Sequence, residues 1–390
     1  MTVQNTKRIS EKISQLMSFR QVGNQVNAML SAAINSGNYI PDDEVLRQLR
    51  SIAEEIRKSS DTDFDTESFM LIEIVQYMLS PVFQHDDPML GPILPLILVE
   101  SKVYDAEEFS KDPYIANINY DNHVHGDFEM TYKKYDPFKL GFYDAPYRFV
   151  QACIDIPRIC CFSSEFRYPA IRQKSIKNVW MSVTPNEIET FKKPIENAKG
   201  KVLTLGCGMG YYAYMASRKE EVESVTIVEI EQSVIDLFEK HILPQFETKD
   251  KIKIVKADAI DFIRNMTDGE YDYCFADIWI GVQHIEPYFA VKEAARKLKK
   301  TKMEYWIEES FASFLSNYVF FEILKAYTRS CNISTDNVND GIELSELDTR
   351  IRTYVKRLMK NVNITKPEEI EYYTNPKNII TLINKSKVVF

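Results

Sequence analysis

The spacing of apolar positions changes character several times along the chain. Residues 9–35, 42–59 and 66–79 place apolar side chains at intervals of three and four, which predicts three amphipathic helices separated by breaks at Ser36-Gly37-Asn38 and at residues 59–63. Pro41 followed by Asp42 and Asp43 marks a helix start, because proline loses nothing in a first turn and that turn favours negative charge. Phe69, Ile72 and Val75 form a core-facing stripe in the third helix. Residues 114–147 are aromatic and extended, and alternation over 121–132 around Gly126 predicts a hairpin with His123 and His125 on one strand face. At 179–191, Thr184 is a candidate N-cap, Pro185 the first helical residue and Glu187 the reciprocal partner, with Val183 and Ile188 as the hydrophobic staple.

From residue 201 the pattern becomes one of buried strands feeding helices. Val202, Leu203 and Leu205 run up to Gly206, Gly208 and Gly210, after which Tyr211, Tyr214 and Met215 repeat at helical spacing. Further apolar runs at 225–228, 252–255, 271–276 and 303–307 alternate with helical patterns at 232–241, 259–266 and 287–300. This alternation predicts an α/β, Rossmann-like, doubly wound parallel sheet with its ligands at the carboxyl ends of the strands. Residues 311–327 read as an apolar helix, 332–340 as a loop and 342–359 as a charged helix. The expected organisation is a helical region over 1–115, an extended connecting region over 116–178, the Rossmann-like domain over 179–330 and a helical C-terminal extension over 331–390.

Composition narrows the function classes. The chain of 390 residues exceeds one ordinary domain, and its 45% hydrophobic and 27% charged content sustains a core. A formal charge of −9 argues against nucleic acid and anionic membrane as partners. The first twelve residues lack the apolar centre of a signal peptide, and the most apolar stretch, 89–99, is short and broken by Pro92 and Pro95, so no membrane span is expected. Six cysteines without a Cys-x-x-Cys spacing indicate reduced thiols and a cytoplasmic location.

The glycine spacing then selects a ligand class. Glycines after a buried strand let backbone N–H groups approach a ligand, and Glu229, at the end of the next strand, can accept from both hydroxyls of a ribose. A dinucleotide fingerprint needs a small residue where Tyr211 stands, and no Gly-Lys-Ser/Thr of a P-loop is present.

The remaining pattern, Gly206-Cys207-Gly208-Met209-Gly210 with Glu229, resembles motif I and the following acid of class I S-adenosylmethionine-dependent methyltransferases. The resemblance covers 201–310. It implies S-adenosylmethionine held by Gly206, Cys207, Gly208, Met209, Gly210, Glu229 and Ile230, with Asp258 on the adenine amino group and the Ala259 N–H on a ring nitrogen. It puts Asp277 beside the transferable group, to orient or deprotonate the nucleophile. Tyr211, Tyr212 and Trp279 are candidates for the substrate wall, where aromatic faces suit a cation. Thr184, His284, Glu286, Glu308 and Glu309 are secondary candidates near strand ends. The His123/His125 pair lacks a third ligand at suitable spacing, so no metal is assigned.

The runs VEIEQSVIDLFEKHILPQF, KADAIDFI and YDYCFADIW are similar to the spermidine synthase branch of the same superfamily. Two departures stand out: Met209 holds the place of that branch's acidic residue, and Asp277 is followed by Ile278, Trp279 and Ile280 rather than by a second acid. The antiparallel last two strands usual in methyltransferases are also missing from the pattern. The expected function is methyl transfer to an amine or hydroxyl of a small molecule or peptide, in a chain that can form a homodimer. An aminopropyltransferase-like polyamine synthase and a non-catalytic scaffold of the same fold remain as alternatives.

Overall fold

Five short apolar runs, each alternating in side-chain direction, form one parallel sheet: Gly200–Leu205, Val222–Glu229, Ile252–Lys256, Tyr273–Ala276 and Lys302–Tyr305. The structure is a computed structural model and describes residues 1–36, 42–61, 63–80, 93–121, 123–333 and 345–390. The expected features at Gly37-Asn38, Pro41, Pro92 and 334–344 lie outside the described residues. Numbered along the chain, the strands lie in the order third, second, first, fourth, fifth. The order reverses between the first and fourth strands, where open parallel sheets bind ligands.

Period-two alternation divides the core. Leu203, Leu205, Val228, Cys274 and Ala276 face one side, against helices Ala259–Asn265, Ile285–Ala295, Glu308–Ser330 and Glu346–Leu358. Val202, Val225, Ile227, Tyr273 and Phe275 face the other, against Pro185–Asn197, Tyr211–Ser217 and Gln232–Leu237. The α/β class and doubly wound sheet expected from the sequence are present, and the described strands of this sheet are all parallel.

Several boundaries differ for local reasons. The fourth strand starts at Tyr273 rather than 271, because Asp272 exchanges hydrogen bonds with Lys201, its carboxylate accepting from the Lys201 N–H at 2.8 Å. The fifth ends at Tyr305, since Ile307 turns the backbone into the left-handed region at φ 48°. The helix expected over 232–241 is α-helical only over Gln232–Leu237 and continues as a π turn over Phe238–Ile242.

The N-terminal helix Lys7–Ser36 bridges two cores. Its first half puts Ile9, Ile13 and Leu16 among the sheet and C-terminal helices, and its second half puts Val22, Val26 and Leu30 against Asp43–Ser59 and Thr66–Leu79. Both of those helices have aspartate caps, Asp42 accepting from Val45 N–H and Asp65 from Ser68 N–H, each at 2.8 Å. Strand Thr2–Val3 pairs in parallel with Asn363–Ile364.

The hairpin expected over 121–132 is formed by Val124–His125 and Phe128–Tyr135, with Gly126 at φ 56° in the turn. Phe166–Gln173 and Asn178–Ser182 extend it to four antiparallel strands. His123 precedes the strand and stacks on His241 at 4.1 Å, and His125 Nε2 lies 2.9 Å from Asp236, so both histidines meet the helical segment 232–242. Among the described residues no helix is long and apolar enough to cross a membrane.

A buried polar network ties these parts together. Arg148 donates to Asp155 at 3.0 Å, to Ser316 at 2.8 Å and to the Thr374 carbonyl at 2.6 Å. Arg20 donates to the Cys153 carbonyl at 2.6 Å and to Asn317, and burial followed by the like charge of Arg148 lowers its pKa to about 10. Asp155 is the anion that offsets both guanidinium groups. Asp155→Ala is therefore expected to destabilise the fold by about 3–5 kcal/mol, because it strands buried positive charge. Denaturant unfolding measures this, and a loss below about 1 kcal/mol would show that the network is solvated.

Candidate functional site

The glycine loop is shaped from below by the sheet. Gly206 N–H donates to the Val228 carbonyl at 2.8 Å and Asp277 N–H to the Leu205 carbonyl at 2.9 Å, which brings the ends of three strands together. Gly206 has φ +97°, and the Asp277 carbonyl oxygen lies 2.1 Å from where its Cβ would be. Only glycine permits that approach. Gly208, at φ +52°, is the opposite case: nothing lies within 4 Å of its missing Cβ, so its surface is free for a ligand. Gly210 does not line the cleft but packs beneath Phe238.

From behind, buried tyrosines hold the loop. The Tyr114 and Tyr120 hydroxyls are hydrogen-bonded to each other at 2.6 Å and both lie within hydrogen-bond reach of the Met209 carbonyl, Tyr120 at 3.2 Å. Burial pushes both phenols well above their ordinary pKa, so they stay protonated donors. Tyr211 donates to Asp112 at 2.9 Å, anchoring the first turn of the following helix.

Each strand end then contributes an acid. Glu229 accepts from Cys207 N–H at 3.0 Å through one oxygen and from Ile230 and Glu231 N–H at 2.8 Å through the other. Those bonds fix the carboxylate and still leave it acceptor capacity for ribose hydroxyls. Asp258 caps helix Ala259–Asn265, one oxygen accepting from Ile260 and Asp261 N–H at 2.9 Å. Asp277 lies on the floor of the cleft.

The resulting cavity has a volume of about 810 Å³. It brings together Gly206, Cys207, Gly208, Met209, Glu229, Ile230, Asp258, Ala259 and Asp277, all anticipated from the sequence, with Phe128 and Trp180 of the antiparallel sheet across from them. Tyr211, Tyr212 and Trp279 also line it. Trp279 is tied by a 3.2 Å hydrogen bond to the Trp306 carbonyl, and Tyr212 packs on Phe275 at 4.5 Å. The secondary candidates do not line it: Glu286 pairs with Arg350, Glu308 with Lys292, and Thr184 does only its capping work.

Glu187 is the residue that sequence reasoning missed. As the third residue of a well-capped helix it is fully explained by its bond from Thr184 N–H at 3.4 Å, so nothing in the sequence marked it further. The structure turns its carboxyl into the cleft alongside Asp277. Both residues are half-buried in the cleft, and withdrawal from water pushes each up to about 8, Glu187 also through the charge of Asp277. Glu187, Glu229, Glu231, Asp258 and Asp277 all line the cavity, and no lysine or arginine does so among the described residues.

Residues 187–303 match the spermine/spermidine synthase domain, so the match begins at the newly found acid and runs into the fifth strand. No curated protein matches the chain. Among solved structures, the chain is similar to PRMT1 of Trypanosoma brucei in an enzyme–prozyme heterotetrameric complex with AdoHcy, at 21% identity over 30% of this chain and 37% of that one, with a TM-score of 0.24. It is also similar to spermidine synthase of Thermotoga maritima, at 19% identity over 43% and 60% with a TM-score of 0.26. Precorrin 8w decarboxylase of Methanobacterium thermoautotrophicum is matched at 16% identity over 39% and 74%, again with a TM-score of 0.26. The chain spans less than two thirds of the first two proteins' own length. The matched segment resembles the spermidine synthase-like branch of the S-adenosylmethionine-fold transferases.

The two glycines differ in what a methyl group would cost. Gly206→Ala is expected to cost about 3 kcal/mol or more, because its methyl meets a backbone carbonyl that cannot rotate away. Gly208→Ala should cost only roughly 1–2 kcal/mol, from its left-handed backbone alone. Thermal unfolding of both variants checks this, and equal behaviour of the two would contradict it.

Proposed function

We propose that the chain transfers the methyl group of S-adenosylmethionine to an amine nitrogen of a small molecule or peptide. The observation that carries this reading is the half-buried carboxyl pair, Asp277 and Glu187, in a cleft lined by acids without a balancing cation among the described residues. The residues present fit the adenosyl group: Gly208 leaves room for close approach, Glu229 offers carboxylate oxygens to a ribose, and Asp258 with Ala259 lies at the next strand end, where adenine would sit. When bound, S-adenosylmethionine supplies a methyl carbon already activated on a sulfonium.

What the protein adds is position and a place for one proton. Alignment of nucleophile and methyl is worth roughly 7–11 kcal/mol and a positioned base about 3–5. An amine arrives as an ammonium ion and must shed a proton before its lone pair can attack. Two neighbouring carboxyls cannot both ionise cheaply, so near neutral pH the pair is held largely protonated and its basic form grows as pH rises towards 8. Asp277 is the base in this reading, and Glu187 tunes it. The acidic lining favours a cationic amine over a neutral hydroxyl, and Met209 presents no charge to repel the carboxylate of intact S-adenosylmethionine.

A second reading, aminopropyl transfer from the decarboxylated cofactor, is favoured by the domain match and by Glu187, which supplies from another helix the second acid that the 277–280 segment lacks. Calorimetric titration with S-adenosylhomocysteine and with decarboxylated S-adenosylmethionine separates the two. Tighter binding of the first supports methyl transfer, and tighter binding of the second supports aminopropyl transfer.

The pair also fixes a pH dependence. Activity should rise with pH along a limb whose apparent pKa near 8 belongs to the pair, and Glu187→Gln should move that limb to lower pH by removing the like charge. Asp277→Asn should lower turnover about 10²–10⁴-fold while S-adenosylhomocysteine affinity is retained. For stability the sign is opposite to that of a salt-bridged carboxylate. The native state keeps protons that the unfolded chain releases above about pH 4, so the cost of the pair grows as pH rises towards 8. Asp277→Asn should thus be more stable than the parent at pH 9 and no more stable at pH 4. Urea unfolding at the two pH values tests this, and an unchanged difference would mean that the carboxyls are solvated.

A further inference from the structure

A second cavity, of about 460 Å³, adjoins the cofactor cleft. Ile280 and Trp306 line both, and two consecutive residues at the start of helix Pro185–Asn197 divide between them, Asn186 lining the second cavity and Glu187 the cleft. The shared wall is fixed: Trp306 donates through Nε1 to Thr190 at 2.9 Å and through its backbone N–H to the Ala276 carbonyl at 2.9 Å. The next residue is the left-handed Ile307. Strained, over-determined backbone of this kind gathers at binding sites.

The opposite wall is equally determined and carries charge. Phe138 is buried at φ 58°, with its N–H on the Phe162 carbonyl at 2.8 Å, and the following Lys139 donates its N–H to the Asp136 carbonyl at 3.1 Å. Lys134 is neutralised by Glu165 at 2.8 Å and Asp136 at 3.1 Å, and Asp144 by Arg158 at 2.7 Å. Lys139 is the one charge lining this cavity without an ion-pair partner among the described residues. The two adjoining spaces are therefore polarised, with acids on the Glu187/Asp277 side and, on the other, a cation without an ion-pair partner among the described residues.

We infer that the second cavity takes the far end of the acceptor, that the acceptor is an amine bearing an anionic group such as a carboxylate, and that Lys139 selects for it. A molecule with an ammonium at one end and a carboxylate at the other matches the polarity. A diamine would set a second ammonium beside Lys139, where like charge opposes it. The inference rests on the proposed reading of Asp277 and Glu187 as the amine-binding end, and it narrows the acceptor to a class that excludes simple polyamines.

Calorimetric titration of the full chain, with and without S-adenosylhomocysteine, tests it. The probes are ω-amino acids of four to eight carbons and 1,4-diaminobutane. At least one amino acid should bind at least about tenfold more tightly than the diamine. Lys139→Glu should reverse that preference, while binding of S-adenosylhomocysteine and the melting temperature stay unchanged. Equal or tighter binding of the diamine by the parent protein, binding of no probe, or an unaltered preference in Lys139→Glu overturns the inference. The S-adenosylhomocysteine arm reports separately on the cofactor reading, because the amine titrations run without it decide the acceptor class on their own.

Discussion

The geometry of the cleft depends on a side chain that is missing. Because Gly206 has no Cβ, the Asp277 carbonyl can sit 2.1 Å from where that atom would be, and the first and fourth strands end side by side. That approach puts Asp277 on the floor of the glycine loop and makes the reversal of strand order a usable crevice. Tyr114 and Tyr120 then hold the loop from behind at the Met209 carbonyl. The same backbone contact positions the acid and shapes the cleft.

The parts of the site carried by short-range pattern were legible in the sequence. A buried strand ending in glycines, and acids at the ends of the next strands, describe local structure, and Glu229, Asp258 and Asp277 all line one cavity. What was hidden depended on long-range packing. Glu187 had a sufficient local explanation as a cap, and only the docking of its helix against the fourth strand turns its carboxyl towards Asp277. Gly210 looked like Gly208 in the sequence, yet Phe238, nearly thirty residues away, makes it a packing position.

Charge is distributed with similar economy. Among the described residues the cleft gathers five acids, while the neighbouring cavity neutralises Lys134 and Asp144 locally and leaves Lys139 without an ion-pair partner. The chain's net charge of −9 says nothing of this arrangement. It arises because the Rossmann-like half presents strand ends and helix starts, where acids are favoured, and the antiparallel half presents turns, where Lys139 is held by its own backbone.

The pairing of Thr2–Val3 with Asn363–Ile364 has a consequence for biosynthesis. Thr2 hydrogen-bonds a residue 361 positions away, and the helix that follows it packs Ile9, Ile13 and Leu16 among late C-terminal helices. At a ribosomal pace of about 5–20 residues per second, this apolar face waits roughly 20 to 70 seconds for its cover. During synthesis the helix therefore carries a long-exposed sticky face, a natural target for chaperones that attend translation.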